Sequence, residues 1–291
     1  MRNVKIMSDW VSELKNTVRT IEALEKHLPL TDSEREDIRK ALEVHKMKIT
    51  PYYLSLIDKE NPDCPIRKIA IPSSQELLVK EDDVEDPIGE KSFNPLKGFT
   101  HRYADRALIY PTFDCATYCR HCFRKRLVGY AEQVLSNEDI ENIATYIKNH
   151  KVIRDVIFSG GDPLILSDEK IDFLLSTIRE INHVQIIRFH TRVLVTLPFR
   201  ITQELINILR KYKPIYVITQ FNHPKEITDE AIEACSLLVD NGIPVLNQNP
   251  LLKDINDKYE ILKELYEKLI YIRVKPYYLV QTMLVQGKRH F

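Results

Sequence analysis

The sequence has little glycine, seven residues in 291, so few backbone positions can demand the conformations that only glycine tolerates. The adjacent pair Gly160-Gly161 therefore marks a place where the backbone must approach something closely. Net charge is also lacking: 42 lysines and arginines balance 42 aspartates and glutamates. No global field draws the chain to nucleic acid or to an anionic membrane, and small-molecule partners are expected. No apolar run approaches the roughly 18 residues of a membrane span, and MRNVKIMSDW has no apolar leader core. A cytoplasmic location is expected. Paired, dispersed cysteines are missing too, because three of the five crowd into positions 115 to 122. That layout argues against a disulfide framework and for a metal site in a reducing compartment.

What is present falls into two regions, 1–99 and 100–291. In the first, Trp10, Val11, Leu14, Val18, Ile21 and Leu24 keep helical spacing, and Thr31-Asp32-Ser33-Glu34 reads as a capping box opening a second helix. Thr50-Pro51 suits a third helix start. Prolines 62, 65, 72, 87 and 95 and the acidic run Lys80 to Asp86 predict an extended connector from Asn61 to Phe99.

After Thr100, apolar runs alternate with amphipathic stretches. Strands are expected at 106–112, 155–159, 186–191, 215–221, 244–249 and 274–280. Helices between them carry the stripes Ile140/Ile143/Ile147, Ile171/Leu174/Leu175/Ile178, Leu205/Ile208/Leu209, Ile232/Cys235/Val239 and Ile261/Leu262/Leu265. Strands separated by helices run parallel, and ligands gather at their C-terminal ends whether the sheet is open or closed.

At the end of the first such strand stands Cys115-Ala-Thr-Tyr-Cys119-Arg-His-Cys122. Thiolates suit zinc or an iron–sulfur cluster, but a structural zinc site usually takes four ligands, and no second cysteine pair follows. Three ligands can hold three corners of a 4Fe-4S cubane and leave one iron open. The CxxxCxxC loop resembles the radical S-adenosylmethionine (SAM) enzymes. CPIRKIAIPSSQEL, GFTHRYADRAL, CRHCFRKR, FSGGDPL, HTRVLVTLPFRIT, FNHPKEIT, NQNPLLKDIND and VKPYYLV extend the resemblance, over roughly 61–291, to the lysine 2,3-aminomutase family.

That resemblance implies an α/β fold, a partial parallel (β/α)6 barrel carrying an N-terminal helical region. It implies a 4Fe-4S cluster on Cys115, Cys119 and Cys122, and SAM contacts from His121, Ser159, Gly160, Gly161, Asp162 and Gln248. It also implies pyridoxal 5'-phosphate (PLP) over the barrel mouth with its phosphate on Arg102 and Arg106, and Arg124 on the substrate carboxylate. The reaction implied is radical migration of an amino group from Cα to Cβ of an amino acid, fed by an external one-electron reductant.

The sequence departs from the family pattern in several places. No glycine-rich PLP-anchoring lysine segment occurs, so there is no catalytic PLP lysine in this chain, and Lys263 and Lys268 are expected to face solvent. Met283 stands where lysine-specific relatives carry an aspartate, which argues against lysine as substrate. Lys258 replaces a zinc cysteine, and Gln220 a histidine near SAM. The expectation is a truncated or split aminomutase that makes 5'-deoxyadenosine without making β-amino acids, with a homo-oligomer or a separate C-terminal half left open. A PLP-independent radical SAM enzyme and a non-catalytic cluster-binding remnant are the other readings.

Overall fold

Each apolar run expected as a strand is one in the computed structural model, which describes residues 9–130 and 134–291. These are β2 (Arg106–Thr112), β3 (Asp155–Gly160), β4 (Ile186–His190), β5 (Ile215–Thr219), β6 (Val245–Leu251) and β7 (Lys275–Gln281), all parallel. One strand was not foreseen. β1 (Phe99–Tyr103) pairs antiparallel with β2 through the tight loop Ala104-Asp105, which lacks the glycine or asparagine that usually flags a hairpin. The seven strands form one sheet in chain order. Tyr277 of β7 lies within the electrostatic reach of Arg188 on β4 and of Arg106 on β2. Opposite margins of the sheet therefore curl toward each other, as a partial barrel requires.

Among the described residues five α-helices precede the sheet: α1 (Trp10–Lys15), α2 (Ile21–Glu25), α3 (Asp32–Val44), α4 (Pro51–Ser55) and α5 (Pro65–Ala70). Between and beside the strands run α6 (Asn137–Asn149), α7 (Asp168–Arg179), α8 (Val193–Thr196), α9 (Gln203–Lys211), α10 (Asp229–Asp240) and α11 (Tyr259–Tyr271). The Thr31 capping box and the Thr50-Pro51 start are both formed. The spacing from Trp10 to Leu24 yields two helices rather than one, because Val18 leaves the helix to bridge Ile49 and Thr20 caps α2. Residues 61 to 99 are less extended than expected. Pro65 opens α5 at its first turn, where proline costs nothing, and Ile66, Ile69 and Ala70 are fully buried. On α10 the buried stripe is Ala231, Ala234, Cys235 and Leu238, with Ile232 and Val239 at its margin. On α11, Leu265 and Leu269 are buried.

One hydrophobic core runs through both regions, joining Leu24, Ile66 and Ile69 to Ile109, Phe158 and Phe189. Strand alternation sends Ala107, Ile109, Val156, Phe158, Ile187 and Phe189 outward to the helices, at 1% exposure or less. Leu108, Tyr110, Asp155, Ile157, Ser159, Arg188, His190 and Gln248 therefore line the inner face. The seam between the sheet margins is joined by the connector: Val84 bridges Val285, and Arg289 pairs with Asp82 and Asp83. Among the described residues no helix is long and apolar enough to cross a membrane. The first eight residues, where no leader core was read, lie outside the described ones.

Candidate functional site

The cysteine loop leaves the C-terminal end of β2 and is pinned from two sides. The N-terminal region holds it through Tyr118 N–H to the Lys48 carbonyl and Arg120 N–H to the Ile69 carbonyl, both 2.8 Å. The exit of β3 holds it through Gly161 N–H to Thr112 O at 2.9 Å and Asp162 N–H to Asp114 O at 2.8 Å. A Cβ on Gly161 would lie 2.2 Å from the Asp114 carbonyl, and Gly160 adopts φ +100° against Tyr110. The close approach signalled by the glycine pair is thus to the cysteine loop itself.

Burial pushes the Cys115 thiol up, and Asp162 and the other two cysteines push it further; Cys122 is raised by burial and then by Cys119. The three sulfurs thus feel one another's charge. Among the described residues no three His, Cys, Asp or Glu side chains close around a single metal ion. A cubane instead takes its thiolates at separate corners, and a loop spaced CxxxCxxC suits that. Cys64 and Cys235 are buried elsewhere, in the connector and on α10.

Around this loop the structure gathers residues to which the sequence reading gave no role. Arg192, just after β4, donates from Nη1 to Cys119 Sγ at 2.6 Å and from Nη2 to Glu226 at 2.6 Å, while its Nε meets the Gln220 carbonyl. The only sequence signal was the motif His190-Thr-Arg192 itself. Asp162 accepts from Thr191 Oγ1 at 2.6 Å, Arg192 N–H at 2.7 Å and Leu164 N–H at 3.1 Å, so it fixes the turn that presents Arg192. His121 is buried and held neutral, first by burial and then by Arg192 and Lys288. Its Nε2 meets Asn222, but His121 Nδ1 and Asn222 Oδ1 find no partner among the described residues. Buried polar atoms are rarely left so, and these two can take a polar ligand. Gln248 lies half-buried on the inner face of β6.

Arg124 is buried and donates from Nε and Nη2 to Glu90 Oε1 at 2.9 and 2.6 Å, leaving Nη1 3.5 Å from Ser159 Oγ. Tyr110 also donates to Glu90 at 2.6 Å. Arg102 and Arg106 are placed differently from expectation. Arg106 begins β2, at the opposite strand end from the cysteine loop, about 20 Å away by strand rise. Arg102 is exposed over the Phe93 ring at the same hairpin. The hairpin of β1 and β2 places Arg102, on β1, and Arg106, at the start of β2, at the strand end away from the mouth. Lys263 and Lys268 face solvent, with side chains 55% and 48% exposed.

Behind the loop sits a buried charge cluster. Glu76 accepts from Arg120 Nε at 2.8 Å, from Arg120 Nη2 and from Lys125 Nζ at 2.7 Å; Lys125 also reaches the Gly287 carbonyl at 2.5 Å. Burial alone would raise the Glu76 carboxyl, but Arg120 and Lys125 outweigh it and bring it down to about 2. His45 and His290 border the same group and are both pushed down to about 4, by burial first; Lys125 and Arg120 add to this and Glu76 opposes it. Their folded values lie below the unfolded 6.5, so the unfolded chain binds more protons between those limits. Stability is expected to be fully present above pH 6.5 and to fall as pH drops through 4. Urea midpoints at pH 7 and pH 5 check this, and His45→Gln should lessen the difference. An unchanged midpoint in the parent would rule it out.

A parallel six-stranded partial barrel with a three-cysteine loop at the C-terminal end of its first strand defines the radical SAM class. The Radical SAM superfamily model matches residues 109–266. The L-lysine 2,3-aminomutases of Acetoanaerobium sticklandii and Clostridium subterminale are 47% and 46% identical over 98% of this chain and 69% and 68% of their own lengths. The glutamate 2,3-aminomutase of Clostridioides difficile is 43% identical over 97% of this chain and 68% of its own. Among solved structures, Streptococcus suis SuiB bound to S-adenosylmethionine aligns with a TM-score of 0.51 at 20% identity, covering 65% of this chain and 43% of SuiB, a likeness of fold. The chain belongs to the lysine 2,3-aminomutase family of radical SAM enzymes. Membership implies a 4Fe-4S cluster and SAM.

Proposed function

We propose that the chain carries the radical-generating and carboxylate-gripping parts of an amino-acid 2,3-aminomutase. The observation that carries this reading is the three-thiol loop at the end of β2, with its own His121 Nδ1 open and with Arg124, two residues past Cys122, bringing Nη1 to 3.5 Å from Ser159 Oγ at the end of β3. When bound, the cluster supplies the electron that cleaves the SAM sulfonium and yields a 5'-deoxyadenosyl radical. Cys115, Cys119 and Cys122 would hold three irons, and buried His121 would border the adenine. Gly160 and Gly161 would set the approach of the methionyl group, and Gln248 would meet SAM from the inner face.

A carboxylate offers about four acceptor positions, and Asp162 has three filled, which leaves one for the methionyl ammonium. Asp162→Ala is therefore expected to weaken SAM binding about tenfold or more, read by equilibrium dialysis. An equal dissociation constant in parent and variant would remove Asp162 from the site.

Arg124, already oriented by Glu90 through Nε and Nη2, keeps Nη1 for the carboxylate of an α-amino acid. Met283 offers no charge to a distal ammonium, which favours a substrate other than lysine. PLP, when bound, would have its phosphate at the hairpin end, where Arg106 begins β2 and Arg102 stands exposed. The test is anaerobic reconstitution with iron and sulfide, then SAM and dithionite, with and without PLP and candidate amino acids. Formation of 5'-deoxyadenosine is expected. Four irons bound per chain but no 5'-deoxyadenosine under any condition would refute the reading.

A further inference from the structure

Seven lysines and arginines are buried among the described residues, and six have carboxylate partners: Lys48 with Asp114, Arg67 with Glu34, Arg120 and Lys125 with Glu76, Arg124 with Glu90, and Arg200 with Asp168. The seventh, Lys288, is 4% exposed as a residue; its stem is buried, its Nζ keeps a little exposure, and among the described residues no carboxylate lies within ion-pair distance of it. An ammonium that has lost most of its hydration and has no paired anion is unfavourable, so its position calls for negative charge nearby.

The backbone around Lys288 is fastened to the cysteine loop on both sides. The preceding Gly287 carbonyl accepts from Lys125 Nζ at 2.5 Å. Three residues on, the Phe291 ring lies edge-on to His121, centroids 5.9 Å apart. Lys288 is thus bracketed by contacts to residues 121 and 125, which flank Cys122. Cys122 is the anionic group whose charge Lys288 feels, and Lys288 in turn acts on His121.

We propose that Lys288 is the built-in counter-cation of the iron–sulfur cluster and holds its reduction potential up. This rests on the cluster reading above. Three thiolates give a cubane net negative charge, and the electron from the external reductant adds one unit more. A fixed ammonium therefore favours the reduced state more than the oxidised one, as net charge and surroundings set the potentials of such clusters.

The test compares the parent with Lys288→Gln, Lys288→Met and Lys288→Arg, each reconstituted anaerobically without SAM, by redox titration of the cluster followed by electron paramagnetic resonance. Both neutral variants should show a roughly tenfold lower reduced-to-oxidised ratio at a fixed potential, about 59 mV for one electron, while Lys288→Arg tracks the parent. Cluster loss from both neutral variants but not from Lys288→Arg would also support the counter-cation. Unchanged potentials in the neutral variants overturn it, as does cluster loss from all three, which marks a packing role. A parent that takes up no cluster at all sinks the cluster reading and this one with it. A parent that assembles the cluster, with variants of equal potential, sinks this one alone.

Discussion

Cys119→Ala protein, reconstituted under conditions that load the parent, is expected to lack the sulfur-to-iron charge-transfer absorption and to retain little iron. Cys119 is the middle thiol of the loop and the one that Arg192 fixes from across the barrel end at 2.6 Å. Removing it opens a second corner of the cubane and takes away the ligand whose position is best determined. Burial and mutual repulsion already raise Cys115 and Cys122, so two remaining thiols cannot share the task of three. Cys64→Ala and Cys235→Ala serve as controls, because these thiols pack in the connector and on α10. Their iron content should match the parent. A Cys119→Ala protein with the parent's spectrum and four irons would overturn the ligand assignment.

The second large effect concerns stability. Glu76→Ala leaves Arg120 and Lys125 buried with no anion between them, and breaking such a group typically costs about 3–5 kcal/mol. The loss should exceed that of surface changes such as Glu36→Ala, whose partner Arg39 is largely exposed. Urea denaturation followed by circular dichroism measures both. A loss below about 1 kcal/mol at Glu76 would mean that water or rearrangement rescues the two cations. Since Arg120 sits inside the cysteine loop, the variant should also load iron less completely.

Much of this architecture was legible in the sequence because it rests on local patterns. The runs at 106–112 and 155–159 were readable as apolar stretches, and the Thr31 capping box from its four-residue spacing. The cysteines were legible because the chemistry demands them close in sequence. What escaped was non-local. Nothing near Arg192 signals that its guanidinium will reach Cys119, 73 positions away, nor near Glu76 that it will meet Arg120 and Lys125. Residues 61–99 looked like a linker because proline counts were read without position; a proline at the first helical turn starts a helix instead of ending one. Arg102 and Arg106 illustrate the limit of motif transfer. The motif was readable, but only the hairpin places it at the far end of the strand.

The seam between the sheet margins sets how the enclosure can respond to what it holds. In a closed barrel, strand number and stagger fix the diameter, and widening it means breaking a ladder. Here the circle is completed by the Val84–Val285 bridge and the pairs of Arg289 with Asp82 and Asp83, while the ladders from β1 to β7 stay intact whatever the width. Girth is thus a soft coordinate of this molecule and strand register a stiff one.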